Sequence, residues 1–308
     1  MADPVHVIGA SGRSGAALCR ALLAAGTPIV PVVRDPARWA ATGLPAAPRR
    51  ANLADSAALR AALGDADRIA SGAHACHAPA ILEAAPPEAR LVLLGSTRKF
   101  SRWPDAHGDG VRAGEAAFLA AGRPGVMLHP TMIYGAEGED NVQRLAALLR
   151  CLPGRLVPLP RGGRALVQPI HQDDVTRCLL AALARDWDRP HGLVIAGPTP
   201  LPYAEFVRAV AAAAGLRPPR IVALPAAPLL AAAAAARLLP GLPTIRPAEI
   251  RRVLEDKAFD IGPMRGMLGV EPIPLAAGLA RTFGGSAPEP KKEPPCRSST
   301  ASPNSAPT

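Results

Sequence analysis

Aromatic residues make up only 3% of this chain, too few for the stacking platforms that hold single-stranded nucleic acid. Lysine is nearly missing, confined to Lys99, Lys257, Lys291 and Lys292. The five cysteines (Cys19, Cys76, Cys151, Cys178 and Cys296) are odd in number, widely scattered and without a C-x-x-C pair. That excludes a disulfide framework and leads us to expect free thiols in a cytoplasmic protein. His74, Cys76 and His77 crowd together with no second cluster at metal-site spacing, so no metal is expected. The N-terminal residues carry no basic region followed by an apolar block, and no signal peptide is expected. Long apolar runs are lacking too. The longest, Ala223–Pro243, is alanine-rich and broken by prolines and Arg237, which suits a buried helix and not a membrane span.

What is abundant is arginine, which dominates a net charge of +10. Most arginines are scattered singly, so nucleic acid is not an expected partner. One stretch stands apart. Between Asp140 and Asp173 lie Arg144, Arg150, Arg155, Arg161 and Arg164 with no acid among them. It reads either as a solvated basic face or as a site for an anionic small-molecule substrate.

The first half alternates short β-rich runs with helical segments. The strands are PVHVI, PIVPVV, a short one near Arg49–Ala51, DRIAS, RLVLLG and GVMLH. Helices are expected over Ser14–Ala25, Ser56–Leu63, around His77–Ala84 and over Val111–Ala121, with a turn at Arg34–Arg38. This rhythm predicts an α/β protein, a Rossmann-type doubly wound parallel sheet with a smaller C-terminal substrate lobe. We expect a core over residues 1–130 and, over 131–283, later strands and a substrate lobe intertwined with it. The proline- and serine-rich stretch 284–308 reads as a disordered tail. In the lobe the sequence predicts a helix over Asn141–Cys151, strands at Leu156–Pro160 and Ala165–Ile170, and an amphipathic helix opening at Asp173 and Asp174.

The stretch GASGRSG places Gly9, Gly12 and Gly15 between the first strand and the first helix. Gly9 permits the tight turn, Gly12 lets a pyrophosphate lie against backbone N–H groups, and Gly15 lets the helix pack close to the sheet. In that context the triplet predicts a dinucleotide site.

VIGASGRSG, HPTMIYGAEGEDNVQRL, VQPIHQDDVTRCLLAAL and GLVIAGPTPLPYAEFVRAVAAAAG occur in the same order as in the short-chain dehydrogenase/reductase superfamily. The chain resembles its extended and atypical branches, the NAD-dependent epimerase/dehydratase-like and NmrA-like proteins, over about residues 4–283. LEDKAFDIGPMRGMLGVEPIPLAAGL is similar to the C-terminal segment of members resembling a complex I accessory subunit. The resemblance implies that Ser11, Gly12, Arg13 and Ser14 line the phosphates. Arg34, at the end of strand two, would accommodate a 2′-phosphate with Arg13, so NADP(H) is expected over NAD(H), which remains possible. Asn52 and Leu53 would lie by the adenine, and Ser71 and Gly72 under the cofactor. Tyr134 and Arg164 are candidate substrate contacts.

Catalytic members end strand five in serine or threonine, matched here by Ser96, and then carry a tyrosine four residues before a lysine. Here those two positions fall on Gly108 and Arg112, and the chain's two tyrosines, Tyr134 and Tyr203, are not followed by lysine at that spacing. Ser96, Arg112 and His129 are the catalytic candidates, with Lys99 and Tyr134 as further substitutes. Arginine stays protonated and cannot imitate the lysine in proton transfer. The expectation is an NADPH-dependent oxidoreductase acting on an unidentified small molecule without a tyrosine–lysine pair. The alternatives are a catalytically silent NADP(H)-binding sensor or structural subunit, and a nucleotide-sugar epimerase/dehydratase.

Overall fold

A computed structural model describes residues 3–135, 141–230 and 251–284. Six strands alternate with helices through the first part of the chain: β1 Val5–Ile8, α1 Arg13–Ala24, β2 Ile29–Val33, α2 Pro36–Ala40, β3 Arg49–Arg50, α3 Ser56–Leu63, β4 Arg68–Ser71, α4 Ala78–Ala84, β5 Arg90–Leu94, α5 Ala106–Ala120 and β6 Gly125–Pro130. Beyond them come β7 Ile133–Tyr134, α6 Asn141–Cys151, β8 Leu156–Pro160, β9 Leu166–Val167, β10 Ile170–His171, α7 Gln172–Ala184, β11 Pro190–Ile195, β12 Leu201–Pro202, α8 Tyr203–Ala213 and β13 Arg220–Leu224. Two further helices, α9 Gly262–Leu268 and α10 Leu275–Gly284, follow.

The main sheet has seven strands in the order β11-β6-β5-β4-β1-β2-β3, and every pairing is parallel. Its central strands are apolar on both faces, as a sheet covered on both sides requires. One face packs Val5, Val7, Val92 and Val126 against Leu18 and Leu22 of α1, Val175 and Leu179 of α7, and Met264 of α9. The other packs Ile8, Ile69, Leu91 and Leu93 against Leu59 of α3, Ile81 of α4 and Phe118 of α5. Each such side chain stabilises the fold by about 1.5–3 kcal/mol on burial. The strand order steps outward from β1 in both directions, so the crevice between β1 and β4 at the strands' C-terminal ends is the place where such sheets receive ligands.

The smaller lobe gathers α6, α8 and α10 around Tyr134, Phe206, Val210 and Leu279. Short ribbons join it: β8 with β13, β9 with β12, and β7 with β10. The expected tail beyond residue 284 and most of the Ala223–Pro243 run lie outside the described residues. Among the described residues no helix is long and apolar enough to cross a membrane.

Three local expectations need correction. Residues 36–40 form a helix, not a turn, because the Asp35 carboxylate accepts from the Ala37 N–H at 3.0 Å and Pro36 opens its first turn. Helix α5 starts at Ala106, five residues earlier than expected. Asp105 caps it through the Gly108 N–H at 2.7 Å, and the glycines that weaken its propensity hide this start in the sequence. The strand expected over Ala165–Ile170 is two short pieces, β9 and β10, separated by Gln168 and Pro169. Gln168 bonds the Gly197 carbonyl and the Phe259 N–H instead of continuing a ladder with its neighbours.

Candidate functional site: a glycine cradle and a strand-end cleft

At the end of β1, Gly9 turns the chain with φ +72°, a conformation that side-chain-bearing residues rarely adopt. The Gly12 N–H donates to the Gly9 carbonyl at 2.8 Å, and Gly12 is the N-cap of α1. A Cβ on Gly15 would run into the Gly9 carbonyl, so only glycine lets α1 lie this close to the strand end. No side chain caps α1 and its first turn holds no acid. Its leading N–H groups therefore keep their positive potential for a ligand. Ser11, half-buried, and Arg13, exposed, flank the turn. The Ser14 hydroxyl donates to Gln172 Oε1 at 3.1 Å and ties α1 to α7, so Ser14 offers a ligand its amide more readily than its side chain.

The end of β4 presses against this loop. The Gly72 N–H donates to the Ile8 carbonyl at 2.9 Å, and Ser71, buried, accepts from the Ala73 N–H at 3.2 Å. A Cβ on Gly9 would stand 3.3 Å from the Ala73 nitrogen. On the other side, Arg34 is exposed at the end of β2 while Asp35 turns away to cap α2. The Asn52 carbonyl oxygen accepts from the Ala54 N–H at 3.1 Å, which leaves its NH₂ facing outward. Leu53 packs partly buried on the core below.

At the end of β5, Ser96 caps a short 3₁₀ turn, Thr97–Phe100, its oxygen accepting from the Arg98 N–H at 3.2 Å. Its own O–H proton stays available. His129 of β6 is fully buried. Its Nδ1 accepts from the Ser96 N–H at 3.2 Å, so the proton sits on Nε2, which donates to Glu115 Oε1 at 2.8 Å. Lys99 Nζ binds the same carboxylate at 2.5 and 2.6 Å. Burial, then the nearby Lys99 charge, push the His129 imidazole below its usual range. Burial would raise the Glu115 carboxyl, but Lys99 and His129 bring it down. The three side chains lock the turn after β5 onto α5 and β6. With both ring nitrogens engaged inside the protein, His129 has no proton placed to give a substrate.

Arg112 donates to the Lys99 carbonyl at 2.8 Å and pairs with Asp109, so it braces the same turn from outside. Gly108 is buried, and a Cβ there would stand 2.9 Å from the Arg98 carbonyl; the turn occupies the space a larger side chain would need. Tyr134 is also enclosed. It is fully buried, stands edge-on to His171 with ring centres 5.2 Å apart, and has its hydroxyl against Gly278 of α10. Burial drives its phenol well above the usual value. A substrate in the crevice cannot touch it, and its place in the site expected from the sequence is not the place the fold gives it.

Arg164 lies elsewhere, on the rim of an open cavity of about 730 Å³ lined also by Arg102, Arg161, Ala223, Leu254 and Asp256. Arg161 holds a left-handed φ of +52°, uncommon for a residue with a side chain. The cavity adjoins the turn after β5 because buried Glu255 accepts from the Ser101 hydroxyl at 2.9 Å and the Arg102 N–H at 2.7 Å. Just beyond, Lys257 is tied by its backbone to the Leu166 carbonyl at 2.8 Å. Burial, with Arg252 beside it, brings its ammonium down to about 8. Glu255 and Lys257 are residues that sequence reasoning did not place, and Glu115 entered it only as the spacing mark for Gly108 and Arg112. Only the scarcity of lysine hinted at Lys257, and Glu255 belongs to no motif.

No protein-family model and no curated protein sequence matches the chain. Solved structures do match in shape. An NADPH-dependent quinone oxidoreductase, QOR2 from Escherichia coli, solved with NADPH, aligns with a TM-score of 0.70 at 17% identity, covering 91% of this chain and 99% of that one. A UDP-glucuronic acid 4-epimerase from Bacillus cereus, with UDP-glucuronic acid and NAD, aligns at 0.69 and 15% identity, covering 92% and 98%. A short-chain dehydrogenase/reductase superfamily protein from Agrobacterium tumefaciens with bound NAD aligns at 0.67 and 16%, covering 92% and 96%. The chain has the fold of these proteins. It is a Rossmann-type α/β structure over nearly the whole length of each.

Proposed function

We propose that the protein binds NADP(H) in the glycine cradle and reduces a small anionic carbonyl or quinone compound at the C-terminal ends of β4 and β5. The observation that carries the reading is the cradle itself. A left-handed Gly9, a Gly15 that nothing larger can replace and a helix whose first turn has no side-chain cap form a mould for a pyrophosphate. The Gly9, Gly12 and Gly15 backbone with Ser11, Arg13 and Ser14 would hold the phosphates. Arg34 would meet a 2′-phosphate, no acid at the end of β2 being turned toward a free 2′-hydroxyl. Asn52, through its outward NH₂, and Leu53 would border the adenine. Ser71 and Gly72 would underlie the middle of the cofactor.

When bound, the cofactor supplies hydride. Ser96, with a free O–H, would orient the accepting oxygen, and Arg102, Arg161 and Arg164 would hold the substrate's negative charge in the adjoining cavity. Arg112 braces the turn and takes no part in proton transfer. The sequence has no Y-x-x-x-K, and the space at Gly108 is taken by the Arg98 carbonyl. This supports a reductase over an epimerase, because epimerisation needs one positioned group to remove the proton of the substrate oxygen and then return it, at a cost of about 10²–10⁴ in rate when that group is lost, whereas a reduction needs a proton only delivered. The test is titration of the purified protein with NADPH and NADH by nucleotide fluorescence, followed by NADPH oxidation at 340 nm against anionic quinones and aldehydes. NADPH binding with turnover of at least one such compound supports the proposal. Robust sugar-nucleotide epimerisation, or no nucleotide binding, refutes it.

A further inference from the structure

Outside the residues considered so far, two histidines from different elements meet beside the cradle. His74 lies two residues past Gly72, on the segment leaving β4, and His107 stands in the first turn of α5, immediately before Gly108. Their rings pack edge to face with centres 4.3 Å apart. His74 Nδ1 accepts from the Cys76 N–H at 3.2 Å, which puts the ring's proton on Nε2. That Nε2 is buried and has no hydrogen-bond partner among the described residues. Neither nitrogen of half-buried His107 has one either among the described residues.

The position follows from the fold. The adenine end of the proposed nucleotide site faces β2 and β3, where Arg34 and Asn52 stand, so the other end runs over β4 toward β5. His74, just past the end of β4, and His107, at the start of the helix that follows β5, lie on that side.

We infer that His107, positioned by His74, is the catalytic acid of the proposed reduction, standing one residue before the place where the resembling family carries its tyrosine. The inference rests on the reductase reading above. The accepting compound gains two electrons and a hydrogen as hydride from the dihydronicotinamide. Its oxygen then holds the electron pair that takes the proton: the imidazolium N–H bond breaks, the O–H bond forms, and the neutral ring recovers a proton from solvent.

The charges around the pair set its pH response. Burial, then the neighbouring His74 and Arg98, push His107 below its ordinary value, with Asp105 opposing and Arg252 adding to the push. His74 is lowered by burial, then by His77 and Arg98. The acid form of His107 therefore disappears as pH rises through a midpoint below about 6.5, and reduction falls with it.

The experiment has two arms. First, imidazole resonances of the seven histidines are followed by NMR, with His107 assigned from the peak missing in His107→Gln, while NADP⁺ is added. The expected result is a shift of the His107 signal and of its titration midpoint, with His191, on the far edge strand, unmoved. Second, kcat/KM for NADPH oxidation is measured from pH 5 to 8. His107→Gln is expected to lose about 10²–10⁴-fold at the acid end and to lose the decline with rising pH, while His191→Gln keeps the wild-type profile. Binding of NADP⁺ that leaves His107 unmoved, or turnover whose profile survives in His107→Gln, overturns the inference alone. Failure of the wild type to bind NADP⁺ takes the nucleotide reading down and this inference with it.

Discussion

The cradle at Gly9–Gly15 and the rim of the cleft beside it are built in opposite ways. Seven successive residues make the first, and their backbone does the work: one left-handed turn, one hydrogen bond from Gly12 to Gly9 and one close approach at Gly15. The second is assembled from His74, the Ser96–Arg112 segment, Arg161 and Arg164, and Glu255 with its neighbours. Side chains from segments far apart in the chain do the work there. A local backbone device tolerates no change at a few positions and is indifferent to its neighbours. An assembled rim depends on every buried charge keeping its partner.

The largest effect is expected where one carboxylate serves two partners. Glu115→Gln leaves the Lys99 ammonium and the His129 N–H without their carboxylate, both side chains of the ion pair being about 13–14% exposed. Unfolding stability should fall by about 3–5 kcal/mol, read from urea denaturation. A loss under 1 kcal/mol would show that the turn after β5 is held by other contacts. Gly15→Ala is the matching blow to the cradle. The new methyl meets the Gly9 carbonyl, and the cost of overpacking is about 1–3 kcal/mol. NADPH affinity should fall at least tenfold further than the stability change alone accounts for; unchanged affinity would break the proposed pyrophosphate mould.

Acid should act on the rim and the sheet before it touches the cradle. His6, His129 and His171 are buried, and burial holds each below its ordinary value of about 6.5. The unfolded chain then binds more protons than the folded one, so their contribution is fully present above about pH 6.5 and is lost as pH falls through the lower folded values. Urea midpoints should drop steadily from pH 7 to 5; a flat profile would mean these rings charge freely in the fold. A smaller effect concerns cofactor choice. Arg34→Ala should weaken NADPH binding about tenfold to a hundredfold, the range of one charge-assisted hydrogen bond, and leave NADH unchanged. Equal losses for both would remove Arg34 from the 2′-phosphate. Smallest of all, Arg164→Ala should raise KM for an anionic substrate several-fold with little change in kcat, since a rim charge acts mostly through encounter.

Most of the sheet was legible in the sequence because apolar runs such as Leu91–Leu94 and Val126–Leu128 need no knowledge of their neighbours to read as buried strands. Errors fell where a single side chain decides. Asp35 and Asp105 start helices that their following residues do not advertise, one short and one glycine-rich. In the candidate site the same division holds. Gly9, Gly12 and Gly15 announce a turn and a close approach by their spacing alone. His129 and Tyr134, picked out by alignment with a familiar motif, turn out to be packed inward, and nothing near them in sequence says so. His74 read as one of three crowded residues with no metal expected, and His107 as an unremarked histidine, until the fold set their rings 4.3 Å apart.

By itself, then, the sequence determined the six strands of the first half, the glycine turn and the lack of a tyrosine–lysine pair. Those depend on backbone freedom, local apolar periodicity and residue identity, which neighbours along the chain already fix. Only the tertiary structure decided which charges are buried together, that Glu115 serves both Lys99 and His129, that Glu255 draws the C-terminal segment onto the turn after β5, and that the rings of His74 and His107 meet. Electrostatic and hydrogen-bond partnerships act over a few ångströms of space, and the fold alone brings residues 33 or 154 positions apart within that range.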